Sequence, residues 1–329
     1  MNIVYSSSDL YAPIAGVSLY SLLESNRAAE NLNIYIIDNG ISRENRDKFR
    51  KTCREFGRNI EFYPIMDVEK LTGSAVDIGK WNISTFARLF EASLFPESVR
   101  KVIHVDCDTI VTGSLQPLWE LDMGEKIVAG AMDCLSPGYR REIGLGEDAI
   151  YLNAGVIVLN LEQIRKRGIE EKFKDHISRN AKLTYVDQAV LNACLGDDDK
   201  LVVPLEYNIY AVIYYANSRN LLRLRRVKDF YTEKRVRYAK DHPVVVHISA
   251  CFIDGSRPWM ENNVHPMLEA YLDYKSRSPW ADEPLWQDNR GKGKRIITKI
   301  IRWMPQWLMC SLVGVVHGVL VPYRNMHRK

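Results

Sequence analysis

The 329-residue chain carries six cysteines, Cys53, Cys107, Cys134, Cys194, Cys251 and Cys310, but no Cys-x-x-Cys pair. Their scatter excludes a zinc ribbon and a dense disulfide scaffold, and it points to a reducing compartment. No basic and apolar leader precedes the first strand-like run, Ile3-Val4-Tyr5, so no secretory signal peptide is expected. A fixed-period repeat and low-complexity stretches are also missing, which sets aside solenoids and arrays. Acidic residues are absent from Arg290 to Lys329, a segment holding nine Lys or Arg. With 45 basic and 41 acidic residues in all, residues 1–289 carry a charge of about −5. A mildly acidic body with a basic end argues against nucleic acid as the body's partner.

What is present is an alternation of strand and helix signals. Ile3-Val4-Tyr5, Asn33–Asp38 and Ile60–Tyr63 read as strands. Pro13 suits the first turn of a helix carrying Val17, Leu19 and Leu22, and Arg43–Phe56 reads as a second helix. Ser84 is expected to cap a helix running to Leu94, before Pro96. Lys126–Ala131 and Gly155–Leu159 follow as buried strands. Leu161–Arg179 is expected to be helical, Thr184 to cap a helix ending at Leu195, and Val244–Ile248 to form a late strand. Such alternation predicts an α/β fold, a mostly parallel sheet with helices on both faces. Pro279, Pro284, Gly291 and Gly293 mark 276–293 as a linker, leaving a body at 1–275 and a tail at 294–329.

The richest stretch is Lys101-Val-Ile-His-Val-Asp106-Cys107-Asp108. A β-branched run delivers two carboxylates, one residue apart, to a strand end, where α/β sheets bind their ligands. Carboxylates so close repel unless a cation sits between them, and hard oxygen ligands suit Mg²⁺ or Mn²⁺ with substrate phosphates. A solvated Asp-x-Asp turn explains the same three residues. Other polar residues have similar double readings. Ser6-Ser-Ser8-Asp9-Leu-Tyr11 offers hydroxyls, a carboxylate and a ring to a nucleotide, or simply makes a turn and cap. Asn153-Ala-Gly155 permits close approach to backbone, or eases a tight strand entry. Asp187-Gln188 complements a helix start. Arg88, among Phe86, Leu89 and Phe90, needs an anionic partner. His247, after three valines, is a metal ligand or a hydrogen-bonded core residue.

Taken in order, the polar first-strand end, Phe86-Ala-Arg88-Leu89, Val105-Asp106-Cys-Asp108, Asn153-Ala-Gly155, Asp187-Gln188, His247 and Arg257-Pro-Trp259 resemble glycosyltransferase family 8. Its bacterial members include lipooligosaccharide galactosyltransferases and glycogenin-like relatives, and the likeness spans roughly residues 1–275. The resemblance implies a GT-A nucleotide-binding fold. It also implies transfer of galactose or glucose, with retention of configuration, from a UDP-hexose to a glycan or glycolipid acceptor in cell-surface polysaccharide synthesis. It assigns Asp106, Asp108 and His247 to Mn²⁺ (or Mg²⁺), and Ser6, Ser8, Tyr11 and Cys107 to the nucleotide side. Arg88, Asp133, Asn153, Asp187 and Gln188 fall around the donor sugar, with Gln188 and Asp187 the candidates for the catalytic role, and Arg257 stands where the family has a lysine on the diphosphate. This chain departs in having Ser8 and Leu10 where an aspartate or asparagine is usual. Its stretch from His247 to Arg257 is also longer, so that Ala250 or Gly255 takes the place of the family's glycine. A competing expectation is a haloacid-dehalogenase-type phosphatase with Asp106 as nucleophile, and a third is a silent sugar-nucleotide binder.

In the tail, Ile296, Ile297, Ile300 and Ile301 share a helical face, and Trp303–Tyr323 has no charged residue apart from histidine. Length alone permits a membrane span. Basic flanks and two tryptophans favour instead an amphipathic anchor on an anionic surface, which places the protein at the inner face of the cytoplasmic membrane.

Overall fold

A computed structural model describes residues 1–65, 83–179, 186–228, 230–250, 255–288, 290–291, 293, 300 and 303–327. Its centre is a seven-stranded sheet. The strands are β1 (Asn2–Ser8), β2 (Asn33–Asn39), β3 (Ile60–Pro64), β4 (Lys101–Val105), β6 (Val128–Met132), β7 (Leu152–Asn160) and β8 (Lys200–Val202), in the order β3-β2-β1-β4-β7-β6-β8. A smaller sheet orders β5 (Thr109–Val111), β10 (Val245–His247) and β9 (Ile209–Tyr210) as β5-β10-β9. The expected parallel pairing holds for β3-β2-β1-β4 and for β6 with β8.

Residue alternation divides the core. Ile3, Tyr5, Ile34, Ile36, Ile103 and Val105 face one side with Leu19, Leu22 and Phe49. These last come from helices α1 (Ala12–Ser25) and α2 (Arg43–Glu55). Val4, Tyr35, Ile37, Val102 and Ile157 face the other side, against Phe86, Phe90, Phe173 and Val190. Pro13 sits in the first turn of α1, and Ser42 Oγ caps α2 by accepting the Asn45 amide at 3.3 Å.

Several elements differ from expectation. Ser84 lies inside a 3₁₀ helix, Ile83–Phe90, followed by one α turn at Glu91–Leu94. The helix expected over Leu161–Arg179 breaks into Leu161–Lys166 and Ile169–Arg179, because Gly168 takes φ +58° between them. Thr184 lies outside the described residues. Most important, β7 runs antiparallel to both β4 and β6. The strand starts at Leu152, so Asn153 and Gly155 belong to its amino end instead of just preceding it.

The described residues of 276–293 are largely irregular, yet Trp280 is fully buried, its ring against Phe49 at 4.9 Å. At Gly16 of α1, a Cβ would lie 2.0 Å from that indole, so only glycine leaves room for it. The segment expected as a linker is anchored in the core. Beyond it, Gln306–His327 forms an apolar helical run of 22 residues, with a π turn at Val316–Leu320. The isoleucine face expected between 294 and 302 lies mostly outside the described residues. The 306–327 run buries Met309, Cys310, Gly314 and Gly318, while Trp307, Leu312, Val316, Val319 and Leu320 are exposed. Gly314 allows backbone contact, since a Cβ there would meet the Arg223 carbonyl at 2.6 Å.

Candidate active site

The strand order gathers the candidate residues at one end of the large sheet. β4 ends at Val105, opposite Val156, and the Asp106 amide donates to the Gly155 carbonyl at 2.8 Å. Because β7 is antiparallel, its amino end (Asn153, Ala154, Gly155) arrives where β4 leaves off. The small sheet supplies the third part: β10 pairs His247 with Thr109 on one side and Tyr210 on the other. Gly155 is required by this convergence. A Cβ there would lie 2.1 Å from His247 Nδ1, so the imidazole occupies the space a side chain would fill.

The two aspartates are held in the same way. Asp106 gives Oδ1 to Arg88 at 2.5 Å and turns Oδ2 toward His247 Nε2 at 3.6 Å. Asp108 gives Oδ2 to Arg257 at 2.5 Å and turns Oδ1 toward the same nitrogen at 3.3 Å. One ligand atom each from Asp106, Asp108 and His247 lies within 4.8 Å of the others. The two separations from His247, 3.3 and 3.6 Å, are slightly wider than the roughly 3 Å between adjacent ligands of an ion with bonds of about 2.0–2.2 Å, so small side-chain rotations would close the set on a divalent ion. Two carboxylate oxygens and one imidazole nitrogen form a donor set that fits Mn²⁺ or Mg²⁺. Burial raises the Asp108 carboxyl, but His247 and Arg257 overcome it and hold the group far below the usual range. Burial lowers the His247 imidazole, and the two aspartates override it and raise it.

Arg88 is the hub behind the metal-ligand set. Buried, it donates to the Ala154 carbonyl and to Asp106, and its Nε stands 2.6 Å from Asp187 Oδ2 as an ion pair. Burial pushes the Asp187 carboxyl up to about 6, against the lowering effect of Arg88. Val186, just before it, takes φ +35°, an outlier for a β-branched residue and a mark of local strain. Gln188 is fixed at both ends of its amide: Oε1 accepts the Ala154 amide at 2.9 Å, and Nε2 donates to Asp133 Oδ2 at 3.0 Å. Asn153 donates to the same Asp133 oxygen at 3.0 Å. Asp133, Asn153 and Gln188 thus form one hydrogen-bonded group, which the Ala154 backbone joins to the ion-paired Arg88, Asp106 and Asp187.

The first strand is brought in by Cys107, whose thiol donates to the Ser6 carbonyl at 3.1 Å. Burial raises that thiol strongly, which makes it a packing group and a poor nucleophile. Ser8 closes the next turn, its carbonyl accepting the Tyr11 amide at 3.1 Å. Tyr11 packs edge-on against Trp286 at 5.6 Å, and the Arg257 guanidinium lies 5.3 Å from the Trp259 ring centre. Asp9 is turned away. Its Oδ1 accepts the Ser42 amide and the Asn45 side chain, each at 2.8 Å, and so secures the start of α2.

Residues not singled out from sequence complete the frame. Asn208, fully buried, donates to Asn153 Oδ1 at 2.8 Å. Its signal was a lone amide in the run Tyr207-Asn208-Ile209-Tyr210-Ala211-Val212. Glu91 pairs with His104 in the apolar layer near Arg88. Neither had a pattern to mark it.

Comparison with known proteins agrees with this geometry. The family described as "Glycosyl transferase family 8" matches residues 2–263. General stress protein A of Bacillus subtilis is 28% identical over 85% of this chain and 94% of its own length. The lipopolysaccharide 1,3-galactosyltransferase of Salmonella typhimurium is 25% identical over 85% of this chain and 79% of its own. Among solved structures, the galactosyltransferase LgtC in complex with donor and acceptor sugar analogues shares the fold. It has a TM-score of 0.69 at 23% identity, covering 90% of this chain and 100% of that one. With the GT-A sheet, the paired aspartates and a family match over most of its length, this chain belongs to glycosyltransferase family 8.

Proposed function

We propose that this glycosyltransferase moves a hexose, galactose or glucose, from a UDP-sugar to a glycan or glycolipid acceptor, retaining the anomeric configuration. The carrying observation is the arrangement of Asp106 and Asp108, each bound to an arginine through one oxygen and presenting the other toward His247. Those three residues would hold Mn²⁺ or Mg²⁺, which when bound neutralises the charge that the departing UDP gains. Arg257, adjacent to Asp108, would meet the diphosphate and add to that stabilisation. Ser6, Ser8, Tyr11 and the Cys107 backbone would frame the nucleotide. Arg88, Asp133, Asn153, Asp187 and Gln188 would surround the hexose, with Gln188 set beside the anomeric carbon by its bonds to Ala154 and Asp133. Such locked amides act without reorganising in the transition state. Among the described residues no pair of carboxylates is spaced and solvated as general acid and base, which suits a reaction in which the leaving phosphate takes the acceptor's proton.

The phosphatase alternative fits these residues poorly. The aspartates follow the fourth strand, not the first, and Arg88 and His247 engage the Asp106 oxygens an attacking carboxylate would need. For the tail, the apolar residues exposed along 306–327 would meet a membrane surface, and the nine Lys or Arg of 290–329 would favour an anionic one, with residues 1–275 as the catalytic body. Similarity to lipopolysaccharide hexosyltransferases supports a role in surface-glycan synthesis. The test is a panel of UDP-hexoses with Mn²⁺, reading UDP release and the anomer of the product by proton NMR. Retained configuration with one hexose is expected. An inverted product, or no UDP released from any donor, would overturn the proposal.

A further inference from the structure

Between the C-terminal helix and the body lies a cavity of about 260 Å³, lined by Ser136, Leu224, Arg225, His317 and Gly318. It is built by close packing on both sides. A Cβ at Gly138 would come within 2.8 Å of Pro322, and one at Gly314 within 2.6 Å of the Arg223 carbonyl. The helix is thus pressed onto the body at Gly314 and at Pro322, and Gly318 between them lets its backbone approach Gly138 and Ser136 at the cavity wall. His317 and Gly318 come from the π turn Val316–Leu320, a distortion that often marks functional positions in helices. The volume is below the roughly 300–1,000 Å³ of pockets for drug-sized ligands, so it suits a small group.

The lining is polar in a particular way. Ser136 is 2% exposed, and its hydroxyl is buried with no hydrogen-bond partner among the described residues. A buried hydroxyl left so costs free energy that a ligand acceptor would recover. Arg225 supplies a fixed positive charge and His317 a ring nitrogen. The apolar stem of Arg226 packs on the same turn, its Cδ 3.1 Å from where a Gly318 Cβ would stand. On the outer side of the same turn, Val316, Val319 and Leu320 are exposed.

We propose that this cavity is an oxyanion site for a phosphate group, separate from the Asp106 centre, in which Arg225, Ser136 and His317 hold the oxygens. The phosphate is either free or borne by a lipid, and the apolar face alongside would set a lipid-borne one at headgroup level. The test is an NMR titration of the full chain, labelled with ¹⁵N at arginine and histidine side chains, with inorganic phosphate at constant ionic strength. Saturable shifts at Arg225 and His317 are expected, with affinity falling about tenfold in Arg225→Gln and in Ser136→Ala. Mn²⁺-dependent UDP release by both variants should stay at the native level, so failure here and failure of the transferase reading are distinguishable. A second arm uses phosphatidylcholine vesicles with and without phosphatidic acid. Shifts with the phosphatidic acid vesicles, at a lower phosphate concentration than free phosphate needs, assign a lipid source. Shifts with free phosphate alone assign a soluble one. No shift of the native protein in either arm, or shifts unchanged in Arg225→Gln, would overturn the site. The native titration decides alone if a variant does not fold.

Discussion

Replacing Gly155 by alanine tests the site through a single methyl group. The new carbon would stand 2.1 Å from His247 Nδ1 and 2.4 Å from Cε1. Ordinary non-bonded contact needs about 3.5 Å, so the imidazole must retreat by roughly 1.4 Å or the strand must part. Metal sites tolerate deviations of only about 0.2 Å, so a ring displaced that far leaves the ligand set. We expect Mn²⁺ affinity to fall at least tenfold, the lower end of what disturbing a ligand's support costs. Overpacking should cost about 1–3 kcal/mol of stability, part of it offset by the roughly 0.5–1 kcal/mol that alanine gains over glycine in a strand. The assay pairs Mn²⁺ binding by electron paramagnetic resonance with metal-free thermal unfolding. Gly130→Ala is the control, because its Cβ meets the Ile157 methyl at 3.2 Å and no ligand. Native Mn²⁺ affinity in Gly155→Ala, with the fold intact, would refute the reasoning.

Arg88→Met leaves Asp106 and Asp187 without their shared cation in a buried setting, and should destabilise the apo protein by about 3–5 kcal/mol in urea unfolding. A loss below 1 kcal/mol would mean the carboxylates find another partner. Burial raises Asp187 to about 6, so the folded state binds its proton more tightly than the unfolded chain. That contribution is present at pH values below about 4 and is lost as pH rises through about 6. In metal-free buffer, Asp187→Asn should therefore flatten the fall in stability over that window, read as melting temperature against pH, and an unchanged slope counts against it. Gln188→Ala should lower kcat more than it weakens UDP binding, since its contact matters most as the glycosyl cation develops. An unchanged kcat with a lower melting temperature would mark the residue as structural. Trp307→Ser with Leu320→Ser alters only exposed positions, so it should leave the melting temperature unchanged. It should also reduce cosedimentation with anionic vesicles about tenfold, and equal binding would show that another surface is used.

Much of the site was legible because local chemistry announced it. The β-branched run before Asp106, the isolated Arg88 among aromatics and His247 behind three valines each combine an apolar strand or helix with one polar residue that needs a partner. The structure joins them as those needs suggest. What sequence could not supply was direction. Nothing in Leu152–Asn160 states that this strand runs antiparallel, because both faces are buried and the pattern is uniformly apolar. That reversal is what puts Asn153 and Gly155 beside Asp106. The break at Gly168 and the 3₁₀ course of Ile83–Phe90 were hidden because helical periodicity survives a short distortion. Trp280 was misjudged by its neighbours, since prolines and glycines flanking it signal a linker while its own ring fills the gap over Gly16.

The most direct test of the central claim is reciprocal binding of Mn²⁺ and UDP to the native protein and to Asp108→Asn, followed by calorimetry. If Asp106, Asp108 and His247 hold the ion that carries the diphosphate, UDP raises Mn²⁺ affinity and Mn²⁺ raises UDP affinity by the same factor. Asp108→Asn abolishes both effects in a protein that still unfolds cooperatively, at a lower melting temperature because Arg257 loses its carboxylate. UDP binding that is equally tight in EDTA, or coupling that survives Asp108→Asn, would contradict the account.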